Sequence, residues 1–326
     1  MSTLESANKK SLMLFSGRAY PELAGEIGEQ LGIAPTPTTA YDFANGEIYV
    51  RFQESVRGSD AFVVQSFSAS INKWLMETLI MVDALKRASA KRITVMAPFY
   101  PYARQDKKHL GREPISARLV ADLMHTAGAH RIVSVDLHTA QIPGFFDGPV
   151  DHLFALPLLA AYVDRRVDRR QVTVVAPDSG RVRVAERWTE RLGGCPLAFI
   201  HKTRDKTRPN EMTANRVVGD VEGRTCVLVD DMIDSGGTIV KAADALFEAG
   251  AADVLAVCTH GVLSGPAVDR LKNSKISEVV VTNTLPIAPE KQFDKLTVLS
   301  IAPMLAQAIR EIFDDGSVTS LFDGQG

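Results

Sequence analysis

Residues 226–238 read CVLVDDMIDSGGT, the order of a strand that delivers polar groups to a glycine turn. Cys226-Val227-Leu228-Val229 is apolar, rich in β-branched residues and too short for a helix, so it predicts a buried strand. That strand is expected to stop at two consecutive carboxylates, Asp230 and Asp231. Asp234-Ser235-Gly236-Gly237-Thr238 follows, and then the helical pattern of residues 239–246. Such an arrangement can hold a sugar and a phosphate together. Glycines let the backbone approach an anion closely, and N–H groups at a helix start attract it. Carboxylates repel phosphate, so Asp230 and Asp231 suit a neutral diol, as an acidic residue does for ribose in dinucleotide-binding folds. An ordinary capped strand-to-helix turn shares D-x-G-G-T, but the complete string is more specific. A Walker-type P-loop is excluded, because no G-x-x-x-x-G-K-[ST] occurs.

The chain of 326 residues suggests two domains, and its 45% hydrophobic and 23% charged content is that of a globular protein with real cores. Lys plus Arg number 37 and Asp plus Glu 39, a formal charge of −2, so no global basic field invites nucleic acid and none is expected as a partner. Cys195, Cys226 and Cys258 lack the spacing of a C-x-x-C redox or zinc motif; the latter two sit in apolar runs and read as core residues in a reducing cytosol. No stretch resembles a signal peptide or a membrane span, so a cytoplasmic protein without a membrane partner is expected.

The two halves resemble each other. Residues 121–129, ADLMHTAGA, precede Ile132-Val133-Ser134-Val135-Asp136-Leu137-His138; residues 243–251, ADALFEAGA, precede Val254-Leu255-Ala256-Val257-Cys258-Thr259-His260. One constant offset matches Ala121 with Ala243, Gly128 with Gly250, His138 with His260, and Ser116 with Thr238. A duplicated α/β domain follows, with a mainly parallel sheet flanked by helices in each half. Strands are expected at 12–15, 61–65, 93–96 and 132–135, then at 172–176, 197–201, 226–229, 254–257 and 278–282. The boundary falls after residue 154, giving domains 1–154 and 155–310 with a C-terminal arm, 311–326, that joins the first domain. Where the second half has its short glycine turn, the first has a longer stretch, residues 97–113, APFYPYARQDKKHLGRE. Its Arg104, Lys107, Lys108 and Arg112 suggest a basic lid that closes over a polyanion.

DDMIDSGGT resembles the 5-phosphoribosyl diphosphate (PRPP) loop of type I phosphoribosyltransferases and PRPP synthetases. FANGE at 43–47, RFQESVRG at 51–58, PYARQDKK at 101–108, REPISARLVADL at 112–123, VDLHTAQIPGFFD at 135–147, NEMTANRVVGDV at 210–221 and THGVLSGPA at 259–267 run in one order. Together they resemble class I ribose-phosphate diphosphokinases over nearly the whole chain. The resemblance implies two tandem type I phosphoribosyltransferase-like domains. It also implies transfer of the β,γ-diphosphoryl group of MgATP to the C1 hydroxyl of ribose 5-phosphate, giving PRPP and AMP for nucleotide, histidine and tryptophan biosynthesis.

By the same resemblance, Asp230, Asp231, Asp234, Ser235, Gly236, Gly237 and Thr238 hold ribose 5-phosphate. His138 and Asp178 position Mg²⁺ and the ATP phosphates, and Lys202 and Arg204 are the catalytic cations. Phe43, Asn45, Glu47, Arg104 and Gln105 bind ATP in the first domain. Ser55, Arg57, Arg112, Ser317 and Thr319 form a regulatory anion site for phosphate and ADP in a homo-oligomer, expected as a hexamer. Two departures stand out. Asp178-Ser179-Gly180-Arg181 puts an arginine where the family's diphosphate loop usually has a second glycine, and His109-Leu110-Gly111 alters the lid. A PRPP-consuming phosphoribosyltransferase or a non-catalytic regulatory relative stands as the alternative. The first leaves Lys202, Arg204 and FANGE without a role; the second would be expected to lose phosphate-contacting residues or to carry an insertion.

Overall fold

The structure, a computed structural model, describes residues 10–203 and 214–322. The chain divides into two compact units, one of Met1–Leu153 with Ala302–Gly326 and one of Phe154–Ile301. The first unit opens with β1 Leu12–Ser16, α1 Pro21–Leu31, β2 Thr38–Asp42, β3 Ile48–Phe52 and β4 Asp60–Val64. It continues through α2 Ile71–Arg87, β5 Arg92–Met96, α3 Ser116–Ala127, β6 Arg131–Val135 and β7 Val150–Leu153. The second unit holds α4 Leu156–Asp164, β8 Val172–Ala176, α5 Val182–Arg191, β9 Leu197–Thr203, β10 Ala214–Val218 and β11 Thr225–Ile233. α6 Gly237–Glu248, β12 Asp253–Gly261, α7 Ala267–Lys272, β13 Glu278–Thr282 and β14 Leu296–Leu299 complete it. α8 Ala302–Phe313 returns to the first unit, earlier than the expected arm at 311.

In the first unit a parallel sheet runs β1-β4-β5-β6-β7. Every residue of β4 is buried, the pattern of a strand covered on both faces. β2 and β3 form a separate antiparallel hairpin. Arg18 ties that hairpin to α2: its Nη2 lies 2.7 Å from Asp42 Oδ1 and its Nε 2.5 Å from Oε2 of the fully buried Glu77. α8 packs on α1, with Arg310 Nη2 donating to Gln30 O at 2.6 Å. Beyond α8, Asp315 pairs with Lys10 at 2.7 Å and Arg92 at 2.5 Å.

The second sheet runs β10-β9-β8-β11-β12-β13-β14, parallel except for the antiparallel β9–β10 pair. Its central strand, β11, lies between β8 and β12. Cys226 and Leu228 of that strand join Leu246 of α6 and Val254 and Cys258 of β12 in the core. The strand does not stop at Val229: pairing with β12 continues through Asp230 opposite Cys258 to Ile233 opposite Gly261, so both carboxylates belong to the strand. β7, β10, β14 and the β2–β3 hairpin were not expected from the sequence. They are short, and several mix polar with apolar residues.

The internal repeat is visible in backbone detail. Each matched helix ends before a glycine of positive φ, Gly128 at 122° and Gly250 at 90°. The next residue donates back into the helix: Ala129 N to Met124 O, and Ala251 N to Leu246 O, each at 3.0 Å. This is the Schellman ending, and it turns the chain directly into the following parallel strand. A β-carbon at Gly250 would meet Glu222 Cγ at 3.2 Å, and one at Gly128 would meet Lys86 Cδ at 2.7 Å. Gly250→Ala and Gly128→Ala should therefore each cost about 1–3 kcal/mol through the strained backbone. Denaturant unfolding midpoints check this; an unchanged midpoint in either variant would contradict it.

Candidate active site

The candidate sugar-phosphate loop is fastened by the segment that follows β12. Leu263 N donates to Ile233 O and Ser264 N to Asp234 O, both at 3.0 Å, and the Ser264 hydroxyl donates to Asp234 Oδ1. Arg270 Nη1 donates to Ser235 O at 3.0 Å. Gly236 takes a φ of 74°, a left-handed turn that glycine adopts without penalty, and α6 starts at Gly237 with no side chain capping it. The helix therefore presents its N-terminal backbone beside Thr238. Sequence reading did not single out Ser264 or Arg270, because neither lies within the loop it supports.

Asp178 lies at the end of β8, the strand next to β11. Its Oδ1 accepts from Gly180 N at 2.9 Å and so caps the single 3-10 turn Ser179–Arg181. That turn aims Arg181 at the acidic pair. Arg181 Nε lies 3.1 Å from Asp230 Oδ1, and Nη2 lies 2.8 Å from Asp231 Oδ2. Asp231 N also donates to Asp230 Oδ1 at 2.8 Å. Burial above all, then the neighbouring Asp231 charge, pushes the Asp230 carboxyl up to about 8 against the opposing pull of Arg181.

Lys202 lies on β9, opposite Asn215 of β10. Arg204 lies outside the described residues.

In the first unit, the basic stretch 97–113 is partly buried. Ala97, Phe99, Tyr100, Ala103 and Asp106 are buried, while Arg104, Gln105 and the run from Lys107 to Arg112 are exposed. Asp106, unremarked in the sequence, anchors it: Thr139 Oγ1 at 2.7 Å and Gln141 Nε2 at 2.6 Å both donate to Asp106 Oδ2. The stretch is thereby tied to the segment that carries the half-buried His138. Gln105 Oε1 accepts from Ser116 Oγ at 2.7 Å at the start of α3, while Arg104 is exposed. Phe43, 45% exposed at the hairpin tip, packs edge-on against Tyr41, with ring centres 5.3 Å apart. Glu47 N donates to Asn45 Oδ1 at 3.2 Å, which shapes the FANGE turn.

His260, the repeat partner of His138, is buried and bonds Thr284 Oγ1 through Nδ1 at 2.9 Å. The two copies of the repeat thus use the same position differently. Ser317 and Thr319, read above as regulatory, share a hydrogen bond of 2.8 Å, and Ser55, Arg57 and Arg112 are exposed.

Parallel sheets with an acidic pair and a glycine turn at the end of a central strand define a phosphoribosyltransferase-like α/β protein. Residues 12–128 match the N-terminal domain of ribose phosphate pyrophosphokinase, and residues 200–323 match the phosphoribosyl synthetase-associated domain. The ribose-phosphate pyrophosphokinase of Streptomyces coelicolor is 69% identical, with 100% of both chains covered. That of Mycobacterium leprae is 65% identical over 98% of this chain and 97% of its own length. The crystal structure of phosphoribosylpyrophosphate synthetase from Mycobacterium smegmatis superposes with a TM-score of 0.90 at 64% identity, covering 94% of this chain and 100% of that one. The chain belongs to the ribose-phosphate pyrophosphokinase family.

The raised Asp230 carboxyl has a measurable consequence. Its ordinary value is 3.8 and its folded value about 8, so across that window the native state holds a proton that the unfolded chain has lost. The contribution of this group to stability therefore falls as pH rises through the window. Asp230→Asn removes that slope, so the melting temperature of the variant relative to the parent should rise between about pH 5 and about pH 8. A constant difference would contradict the burial argument.

Proposed function

We propose that this protein transfers the β,γ-diphosphoryl group of ATP to the C1 hydroxyl of ribose 5-phosphate, releasing AMP and PRPP. The observation that carries this reading is the acidic pair at the end of β11, joined through a left-handed glycine turn to the start of α6. Asp230 and Asp231 accept hydrogen bonds from the ribose hydroxyls, and the 234–238 turn with the helix start takes the 5-phosphate. Fixing the sugar at both ends orients its anomeric hydroxyl, and orientation accounts for much of phosphoryl-transfer catalysis. Lys202 and Arg204 stabilise charge on the migrating diphosphoryl group and on the leaving AMP oxygen. Phe43 supplies an aromatic face for adenine, with Asn45, Glu47, Arg104 and Gln105 as polar partners; the exposed hairpin tip supports this role.

Magnesium fits the donor set. Among the described residues no three His, Cys, Asp or Glu side chains form a metal cage. Sparse donors suit an ion that keeps waters and takes substrate phosphates as ligands. His138 and Asp178 each offer such a donor, and bound Mg²⁺ would neutralise phosphate charge during transfer. Phosphate and ADP act as effectors through Ser55, Arg57, Arg112, Ser317 and Thr319 in a hexamer. Among the described residues no helix is long and apolar enough to cross a membrane, and the free thiols support a cytoplasmic site of action.

Incubation with MgATP and ribose 5-phosphate should yield equimolar AMP and PRPP; ADP as the product would overturn the assignment. Lys202→Ala should lower turnover by on the order of 10²-fold or more with little change in sugar affinity. Asp231→Ala should instead raise KM for ribose 5-phosphate, by about tenfold or more. Steady-state kinetics with each substrate varied separate the two effects.

A further inference from the structure

β8 and β11 are adjacent parallel strands, so the turn after the first reaches the carboxylates at the end of the second. Arg181 uses that proximity. Its guanidinium spans Asp230 and Asp231 at 3.1 and 2.8 Å, a forked grip that neither a lysine nor a neutral side chain reproduces. The contact is largely shielded: Arg181 and Asp230 are each 16% exposed and Asp231 7%. These carboxylates are the ones assigned above to the ribose hydroxyls, and the inference rests on that assignment. A charged, forked donor binds a carboxylate more strongly than a neutral hydroxyl does, so guanidinium and diol compete for one pair of acceptors.

Arg181 closes the turn that Asp178 caps, and its backbone stays at this edge of the sheet whatever its side chain does. A guanidinium that leaves carboxylates beside a diphosphate has phosphate oxygens as its next forked partner. We propose that Arg181 is an exchangeable cation of the acceptor site: the incoming sugar diol displaces it from Asp230 and Asp231, and it then binds the migrating diphosphoryl group. No covalent bond changes in this exchange; one set of hydrogen bonds replaces another. Two carboxylates facing one cation already carry surplus charge, and burial favours a proton on Asp230, which eases release of the arginine. The order of events follows: sugar arrival frees the cation that diphosphate transfer needs.

The test compares the full-length protein with Arg181→Gln and Arg181→Lys. Calorimetric titration with ribose 5-phosphate alone should show Arg181→Gln binding about tenfold more tightly than the parent, because the competitor is gone. Arg181→Lys should fall between them, since one ammonium cannot grip both carboxylates; it carries the test if the glutamine variant does not fold. With MgATP present, kcat of Arg181→Gln should drop by about tenfold or more while KM for the sugar also falls. Weaker or unchanged sugar binding in a folded variant would show that Arg181 only props the carboxylates and would overturn the exchange, as would an undiminished kcat. If the unsubstituted protein binds no ribose 5-phosphate, the sugar-site assignment itself fails, and the exchange fails with it.

Discussion

Two carboxylates in sequence, carried by a strand in the middle of a parallel sheet, set the terms for the second unit. Asp230 and Asp231 are largely shielded from solvent, so their charge is poorly hydrated and each raises the cost of the other. Several features answer that cost. Arg181 reaches across from the neighbouring strand end, the Asp231 N–H donates to Asp230 Oδ1, and one carboxyl is biased toward its protonated form. Such an environment holds acceptors that are strong, few and directional. A neutral polyol meets those requirements better than any anion, and the phosphate is left to the turn and helix that follow.

The parallel strands were legible because strands buried on both faces must be apolar along their length. Val172–Ala176 and Glu278–Thr282 have the bounds expected from the sequence. The end of β11 was not legible. A run of side chains shows where apolar burial stops, but backbone pairing with β12 carries the strand on through two aspartates. The short β2–β3 hairpin was missed for a related reason: its residues are half-buried or exposed, so no period stands out.

The glycine turn and the acidic pair of the candidate site could be read directly, since their residues are contiguous. Their supports could not. Ser264 and Arg270 steady the turn from another segment, and Asp106 is a lone acid in a stretch that reads as basic. Arg181 was conspicuous in the sequence only as a substitution for glycine; its partners became clear when β8 and β11 proved to be adjacent. Pairing across strands is long-range information, and one chain read alone does not contain it.

The path of α8 bears on how this protein is made. The first unit contains the amino-terminal strands, yet α1 obtains the helix it packs against, and Lys10 and Arg92 obtain Asp315, only from residues past 301. A ribosome therefore finishes the entire second unit before the first can close. During synthesis the later-encoded unit is the earlier one to be complete, and the amino-terminal part waits with an uncovered helix face. Chains of this design reverse the usual order in which domains fold as they emerge, and the interval of exposure lengthens with slower translation.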